Sequence, residues 1–409
     1  MNREIGVHLQ TGGRTLRVGR LWLHSARGGE SASFEYNDAW LASPTAFDLD
    51  PALPLGRGAF HTGPARKLFA FLTDCAPDRW GRTLMLRQEM RRARQAGETP
   101  RTLLEGDFLL LVNDAARQGA LRFTEPGGTE FLTFGAKGVP PLLELGKLLA
   151  AAGHVQARTE TEQDLRVLVE PGSLLGGARP KAVVCDVQGT QWVAKFPRDQ
   201  DEWDVPLWEF VAFQLAGIAG ITVPPARMER IAGKNVLLVK RFDRDGEDRI
   251  PFVSAMTMLS AQDGDHRSYV EIAEILRAAG SAPRRDMAEL WRRMVYNIMI
   301  SNVDDHLRNH GFLRDPAVRG WKLSPVYDLE SSPPSRKAPV HHTFITLDSG
   351  MSSLDLAFSV AREFGLGGRD AEDIAAEVAA AVRQWSKVAR KAGSSEQDME
   401  MLRDAFRRL

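Results

Sequence analysis

The stretch Ile298-Met299-Ile300-Ser301-Asn302-Val303-Asp304-Asp305-His306-Leu307-Arg308-Asn309-His310-Gly311-Phe312 decides how this chain reads. An apolar run leads straight into a cluster of acids, imidazoles and amides. Asp304 and Asn309 stand five positions apart, in the spacing D-x-x-x-x-N, and a further acid follows at Asp328 in Leu323-Ser324-Pro325-Val326-Tyr327-Asp328-Leu329. These residue types suit one kind of chemistry. A carboxylate accepts the proton of an attacking hydroxyl, while an amide oxygen and a second carboxylate are hard ligands of the kind Mg2+ prefers. The short pattern recurs by chance, so its weight rests on what precedes it.

Working upstream, Pro171-Gly172-Ser173-Leu174-Leu175-Gly176-Gly177-Ala178-Arg179-Pro180-Lys181 is rich in glycine, which lets backbone N–H groups turn toward a phosphate at close range. A hairpin follows, with Gln188-Gly189 as its turn, and its second strand ends in Val193-Ala194-Lys195-Phe196. Lys195 ends a Val-Ala-Lys strand, like the lysine that pairs nucleotide phosphates in V-A-I-K. Asp204 and Pro206 then open a helix with Leu207, Phe210, Val211, Leu215 and Ile218 on its apolar stripe and Glu209 nearby. The next strand runs from Asn235 through Lys240-Arg241-Phe242-Asp243-Arg244 into a linker, where an adenine-binding hinge would lie. Taken singly, each has a plain reading: a turn, a surface lysine, a solvated glutamate, a helix cap. Their joint order (glycine loop, strand lysine, helix glutamate, hinge, D-x-x-x-x-N, acid) is the order of parts in a protein kinase. A rival reading takes His306 and His310, four apart, with Asp304 or Asp305 as ligands of a metal, although the glutamate that usually follows the first histidine of such a pair is Leu307 here.

The remaining chain fits around this order. Val7-His8-Leu9 and the segment 16–21 flank Thr11-Gly12-Gly13 and predict a hairpin. Ser33-Phe34-Glu35-Tyr36 reads as a strand, residues 64–95 as helical, and Phe108-Leu109-Leu110-Leu111-Val112 and Gly119-Ala120-Leu121-Arg122-Phe123 as strand-type. A short amphipathic helix is expected over 140–152, with the polar stretch 156–163 as a domain boundary. Met287, Leu290, Trp291, Met294, Val295 and Ile298 recur at helical spacing up to Asp304. After Asp328 the segment 330–343 is rich in Ser, Pro and basic residues and suits a mobile activation-type loop. A further helix ends near Gly393, and Ser395-Glu396-Gln397-Asp398 caps the last one. The expected fold is α+β and two-lobed, protein-kinase-like, with a β-rich N-terminal lobe and a mainly helical C-terminal lobe. The expected division is 1–155 as a β-rich N-terminal domain, 156–245 as the nucleotide-binding part of the core and 246–409 as the helical lobe. The 53 basic and 53 acidic residues balance, so no net basic field points to nucleic acid. Two cysteines without metal-type spacing, no apolar signal segment at the start and no membrane-length run make a cytoplasmic protein the expectation.

At this point the residues resemble the HipA-type serine/threonine kinases, the toxins of bacterial toxin–antitoxin modules. The resemblance is carried by Gly176-Gly177-Ala178-Arg179-Pro180-Lys181, Val193-Ala194-Lys195-Phe196-Pro197, Lys240-Arg241-Phe242-Asp243-Arg244, the segment 304–312 and Ser324-Pro325-Val326-Tyr327-Asp328. Val18-Gly19-Arg20-Leu21, Leu53-Pro54-Leu55 and residues 119–123 look like the family's N-terminal region, so the match covers most of the chain. It implies Asp304 as catalytic base, Asn309 and Asp328 as Mg2+ ligands, and Lys195 on the phosphates of ATP. It also implies a hinge over Lys240, Phe242 and Asp243 for the adenine, and a binding region that includes Gly176, Gly177, Ala178, Lys181, Glu209 and His306. His306 stands where the family keeps a histidine and ordinary protein kinases a lysine. The family further implies a protein substrate, in studied members an aminoacyl-tRNA synthetase, with arrest of growth and persistence as the consequence. A small helix-turn-helix antitoxin is the implied partner, with DNA contacted only through it and no membrane involved. Many members carry an autophosphorylated serine three positions before the second glycine; here that position is Leu174, and Ser173, one place off, is the candidate. Two other readings of the same residues are a small-molecule phosphotransferase and a non-catalytic nucleotide-binding regulator acting with a repressor.

Overall fold

The computed structural model describes residues 2–26, 29–135, 138–169, 177–314 and 319–406. They form two compact units, residues 1–199 with 243–253 and residues 200–242 with 254–409.

The first unit is built on an antiparallel sheet. Strands β1 (Asn2–Thr11) and β2 (Arg14–Ala26) are joined by Gly12 and Gly13, both at positive φ (58° and 69°). Two consecutive positive φ values are what a two-residue turn needs to match the twist of its strands. Strands β3 (Gly29–Tyr36), β4 (Ala59–His61) and β5 (Leu121–Thr124) complete the order β4-β3-β2-β1-β5. One face buries Ile5, Val7, Val18, Leu21, Phe34 and Phe123. Phe34 meets Tyr36 and Phe71 edge to face, with ring centroids 5.0 and 5.8 Å apart. Gly19 is required by this packing, since a side-chain carbon there would sit 2.4 Å from the carbonyl of Glu35.

Two sequence expectations are corrected here. Residues 64–95 are not one helical stretch: Ala70–Thr73 is a single turn, and Asp78 starts the helix Arg79–Ala96 by accepting from Gly81 N at 2.8 Å. The segment 108–112 is not a strand: Phe108, Leu109 and Leu110 close the helix Glu105–Leu110, and Leu111 and Val112 follow it as a turn and a bend. The cause is remote. The carboxylate of Glu30, on β3, accepts from the N–H groups of Glu105 and Gly106 at 2.7 and 2.8 Å and satisfies the first orphan donors of that helix.

The polar stretch 156–163 does not separate two bodies. Arg87 donates to Val155 O (2.7 Å), Arg91 to Glu160 O (2.6 Å) and Gln95 to Glu162 (2.7 Å), so Leu145–Ala157 and Glu162–Val169 are fastened to Arg79–Ala96. The hairpin Lys181–Cys185 and Gln191–Lys195 belongs to the same unit, as does the return segment 243–253. Arg249 holds that segment at Asp114 (2.9 Å), and Arg244 donates to Gly119 O (3.1 Å). The fully buried Arg117 donates to the carbonyls of Cys75 (3.1 Å) and Leu109 (2.9 Å) and lies over the ring of Phe123.

The second unit is mainly helical. Asp204 caps Val205–Ile218 through Leu207 N (3.1 Å), and its other oxygen accepts from Asn235 (2.6 Å) on the hairpin Ala226–Ile231 and Lys234–Lys240. Helix Pro283–Met299 runs through the core with Leu290, Trp291, Met294, Val295 and Ile298 fully buried or nearly so. Tyr296 OH donates to Ala212 O (2.6 Å) and Trp291 Nε1 to Ala357 O (3.0 Å), which ties that helix to its neighbours on two sides. The C-terminal helices Gly368–Val382, Trp385–Ala392 and Glu396–Leu402 finish the unit, with Trp385 stacked on Phe406. Ser395 caps the last of them at Asp398 N (3.0 Å). A first unit built on a five-stranded sheet with helices beside it in sequence, and a mainly helical second one, agree with the α+β expectation. Among the described residues no helix is long and apolar enough to cross a membrane.

Candidate active site

Helix Pro283–Met299 delivers the chain into residues 301–311. Ser301 takes a left-handed conformation (φ 53°) and turns the backbone out of the helix, while Asn302 N bonds back to Asn297 O (2.9 Å). The two acids that follow point to different environments. Asp305 is buried, and its carboxylate accepts from Tyr269 OH and from Asn297 Nδ2 (3.0 Å), with His310 Nε2 at 2.9 Å. Burial alone would raise the Asp305 pKa, yet the imidazole of His310 and the donated hydrogen bonds hold it below the usual carboxylate range. The Tyr269 hydroxyl is pushed well up, first by burial and then by that same carboxylate. This knot commits His310 and Asp305 to the interior. The rival reading, with His306 and His310 as metal ligands, therefore finds His310 already engaged, and only Leu307–Asn309 forms a helical turn between them.

Asp304 faces the other way. Its side chain is 44 % exposed, and its oxygens lie 3.5 Å from Lys337 Nζ and 3.8 Å from His342 Nε2. Asn309 is buried, and its side-chain oxygen Oδ1 has no hydrogen-bond partner; the same holds for His306 Nδ1. A buried carbonyl oxygen left without a donor is costly and calls for an explanation. A bound cation would satisfy it.

Asp328 reaches the same neighbourhood through backbone pairing. Strands Gly311–Arg314 and Trp321–Leu323 pair antiparallel, Ser324 N bonds to Gly311 O (2.8 Å), and Tyr327 OH donates to Arg308 O (2.6 Å). The last bond joins the residue before Asp328 to the residue before Asn309. Asp328 itself stands at φ 59°, a left-handed conformation that Asp tolerates better than most residues and that sites of function retain. An amide oxygen and a carboxylate fit Mg2+, which usually takes one or two protein carboxylates and completes its shell with water and phosphate oxygens.

The other expected residues divide between the units. Lys195 ends its strand, half-buried, directly opposite Lys181 in the antiparallel register. Two cations facing each other are unfavourable. Lys181 resolves this by pairing with Asp78 at 2.9 Å, both side chains almost fully buried, so its ammonium is used inside the first unit. Gly177 takes φ 112°, and the carbonyl of Ala178 accepts from Arg198. Gly176, Leu174 and Ser173 lie outside the described residues. In the second unit Glu209 is buried on Val205–Ile218, Lys240 ends its strand with its N–H on Pro225 O (2.8 Å), and the Phe242 ring sits 5.5 Å from that of Tyr327. Asp243 falls in the first unit and is occupied there, accepting from Gly119 N (2.7 Å) and pairing with Arg244 (3.0 Å). Sequence reasoning missed Tyr269, Asn297 and Lys337. The first two carry only the signal of polar residues set among core positions, and Lys337 none beyond its basic tract.

The description "HipA-like C-terminal domain" matches residues 173–385, and "HipA N-terminal domain" matches residues 12–106. The first covers more than half of the chain, and the chain therefore belongs to the HipA family. Two proteins of Sinorhizobium fredii (strain NBRC 101917 / NGR234) are similar in part. "Putative kinase Y4dM" is 30 % identical over 161 residues, 36 % of this chain and 38 % of that protein. "Putative kinase Y4mE" is 28 % identical over 156 residues, 34 % of each chain. The chain thus spans little more than a third of the length of these curated relatives. A solved structure of the Shewanella oneidensis MR-1 toxin–antitoxin system, HipA and HipB with operator DNA, superposes over 98 % of this chain and 95 % of that one with a TM-score of 0.68 and 16 % identity. That likeness shows the fold, which is the two-lobed, kinase-like α+β architecture expected from the sequence.

Proposed function

We propose that this protein is an ATP- and Mg2+-dependent serine/threonine protein kinase that phosphorylates a component of translation and is neutralised by a small DNA-binding antitoxin. One observation carries the reading: a buried, unpartnered Asn309 Oδ1 in the same loop as the open Asp304, tied through Tyr327 and Arg308 to Asp328. Asp304 accepts the proton of the attacking hydroxyl, and the buried Asp305 knot fixes the loop so that its neighbour stays in place. Asn309 and Asp328 would hold Mg2+, which when bound neutralises phosphate oxygens. Lys195 is the residue for the phosphates of ATP, and Lys240 and Phe242 are those for the adenine. The named relatives called putative kinases support the reaction class, and the HipA–HipB–DNA architecture of the structural neighbour supports the partner.

The experiment is incubation of the purified protein with γ-labelled ATP, Mg2+ and a host lysate, beside Asp304→Asn. A labelled protein band is expected with the intact chain, reduced at least about 100-fold in the variant. Full labelling by Asp304→Asn would overturn the role of this residue. Transfer only to small molecules would instead favour a small-molecule phosphotransferase, and ATP binding with no transfer a non-catalytic regulator.

A further inference from the structure

The segment that follows Asp328 is fastened along the catalytic loop rather than hanging past it. Ser332 N bonds to Ser301 O (3.3 Å), His342 N to Val303 O (3.1 Å) and Thr343 N to Asp305 O (3.0 Å). Between these anchors, the N–H groups of Arg336 and Lys337 both turn onto Pro333 O (2.8 and 3.3 Å), and Arg336 pairs with Glu202 at 2.5 Å. The result is a built wall that carries one ammonium to Asp304. Lys337 Nζ lies 3.5 Å from Asp304 and 3.7 Å from Glu330 Oε1, suspended between two carboxylates and bound tightly to neither. Its side chain is 38 % exposed.

The electrostatics of the loop explain why a cation is needed there. Asp304 and Glu330 place two carboxylates about one ammonium, and a phosphoryl group in transfer brings further negative charge spread over its oxygens. The catalytic loop supplies no lysine of its own: two positions after Asp304 stands His306, whose Nδ1 is buried and unpartnered. Lys337 is the cation brought in from elsewhere in the sequence.

We propose that Lys337 is a catalytic residue that meets the transferring phosphoryl group beside Asp304, with Glu330 as the residue that positions it. The inference rests on the kinase reading above. In the step, a bond forms between the acceptor hydroxyl oxygen and the γ-phosphorus, and the bond from that phosphorus to the β,γ-bridging oxygen breaks. The hydroxyl proton goes to Asp304, and the bond's electron pair leaves on ADP. Lys337 keeps its proton throughout and offsets charge, which helps the transition state more than the ground state. The two-ended anchoring argues against a removable plug, since a plug would have to give up several backbone bonds to admit each substrate.

The test compares the intact chain with Lys337→Met, Lys337→Arg and Glu330→Gln. The readouts are phosphate release from γ-labelled ATP with water as acceptor and labelling of the lysate band. Lys337→Met should lower kcat about 100-fold with the KM for ATP within about two-fold. Lys337→Arg should recover most of the loss, and Glu330→Gln should cost about ten-fold. Thermal melts should stay close to that of the intact chain, because exposed ion pairs contribute little to stability. An unchanged kcat in Lys337→Met overturns the proposal, as does a rise, which would identify the lysine as a plug, or a loss confined to KM. If the intact chain itself transfers no phosphate, the kinase reading has failed and this inference falls with it. If the intact chain transfers phosphate and Lys337→Met matches it, only the inference has failed.

Discussion

Asp304 and Asp305 are neighbours in sequence and opposites in structure. Asp305 is buried against Tyr269, Asn297 and His310, each within hydrogen-bond distance. Asp304 looks out at longer range toward Lys337 and His342. The same carboxylate is thus an anchor in one place and, in the proposed reaction, the proton acceptor in the other, and what separates them is exposure to solvent. A reactive group needs a vacant side, whereas an anchor needs all of its sides filled. The loop obtains both by letting consecutive side chains point apart, with the buried one holding the exposed one still.

This contrast can be broken by experiment. The largest effect is expected from Asp305→Ala, which leaves the Tyr269 hydroxyl, Asn297 and His310 buried without their partner. Urea unfolding should show a loss of about 3–5 kcal/mol, and a loss below about 1 kcal/mol would mean that the knot is not an anchor. A smaller effect is expected with pH. Because the folded pKa of Asp305 is lowered, its contribution is present above the ordinary carboxylate value of about 3.9 and is lost as pH falls through the lowered one. Stability of the intact chain should therefore fall more steeply below about pH 4 than that of Asp305→Asn, measured as urea midpoints across that range. Equal slopes would remove the assigned shift. The smallest effect is expected from Asp304→Asn, whose half-exposed pairs predict a stability change within about 1 kcal/mol even as activity collapses. A large destabilisation there would mean that both acids are structural.

Much of the candidate site could be proposed from the sequence because its order along the chain is a local property. The D-x-x-x-x-N spacing, the strand lysine and the later acid each sit in a short window, and the hydrogen bond from Tyr327 to Arg308 brings Asn309 and Asp328 into one hairpin-linked region. Lys181 shows where that reading stops. It follows a glycine loop as a phosphate-binding lysine would, yet its ammonium is taken by Asp78, more than a hundred positions earlier. Asp243 is similar, placed in the hinge by sequence and held by Gly119 and Arg244 in the first unit. The segment 330–343 reads as a mobile loop from its Ser, Pro and basic content. Its backbone is instead bonded to residues 301, 303 and 305.

What the sequence determined by itself is what depends on near neighbours. The turn at Gly12 and Gly13, the apolar periodicity of Pro283–Met299 and the caps at Asp204 and Ser395 follow from φ preferences, side-chain period and reach over a few bonds. Tertiary structure decided whatever hangs on a partner far along the chain. Glu30 makes a helix of Glu105–Leu110, Asp78 claims Lys181, and the return of residues 331–343 sets Lys337 beside Asp304. Burial and charge pairing act through space, and a sequence window sees only the residues inside it.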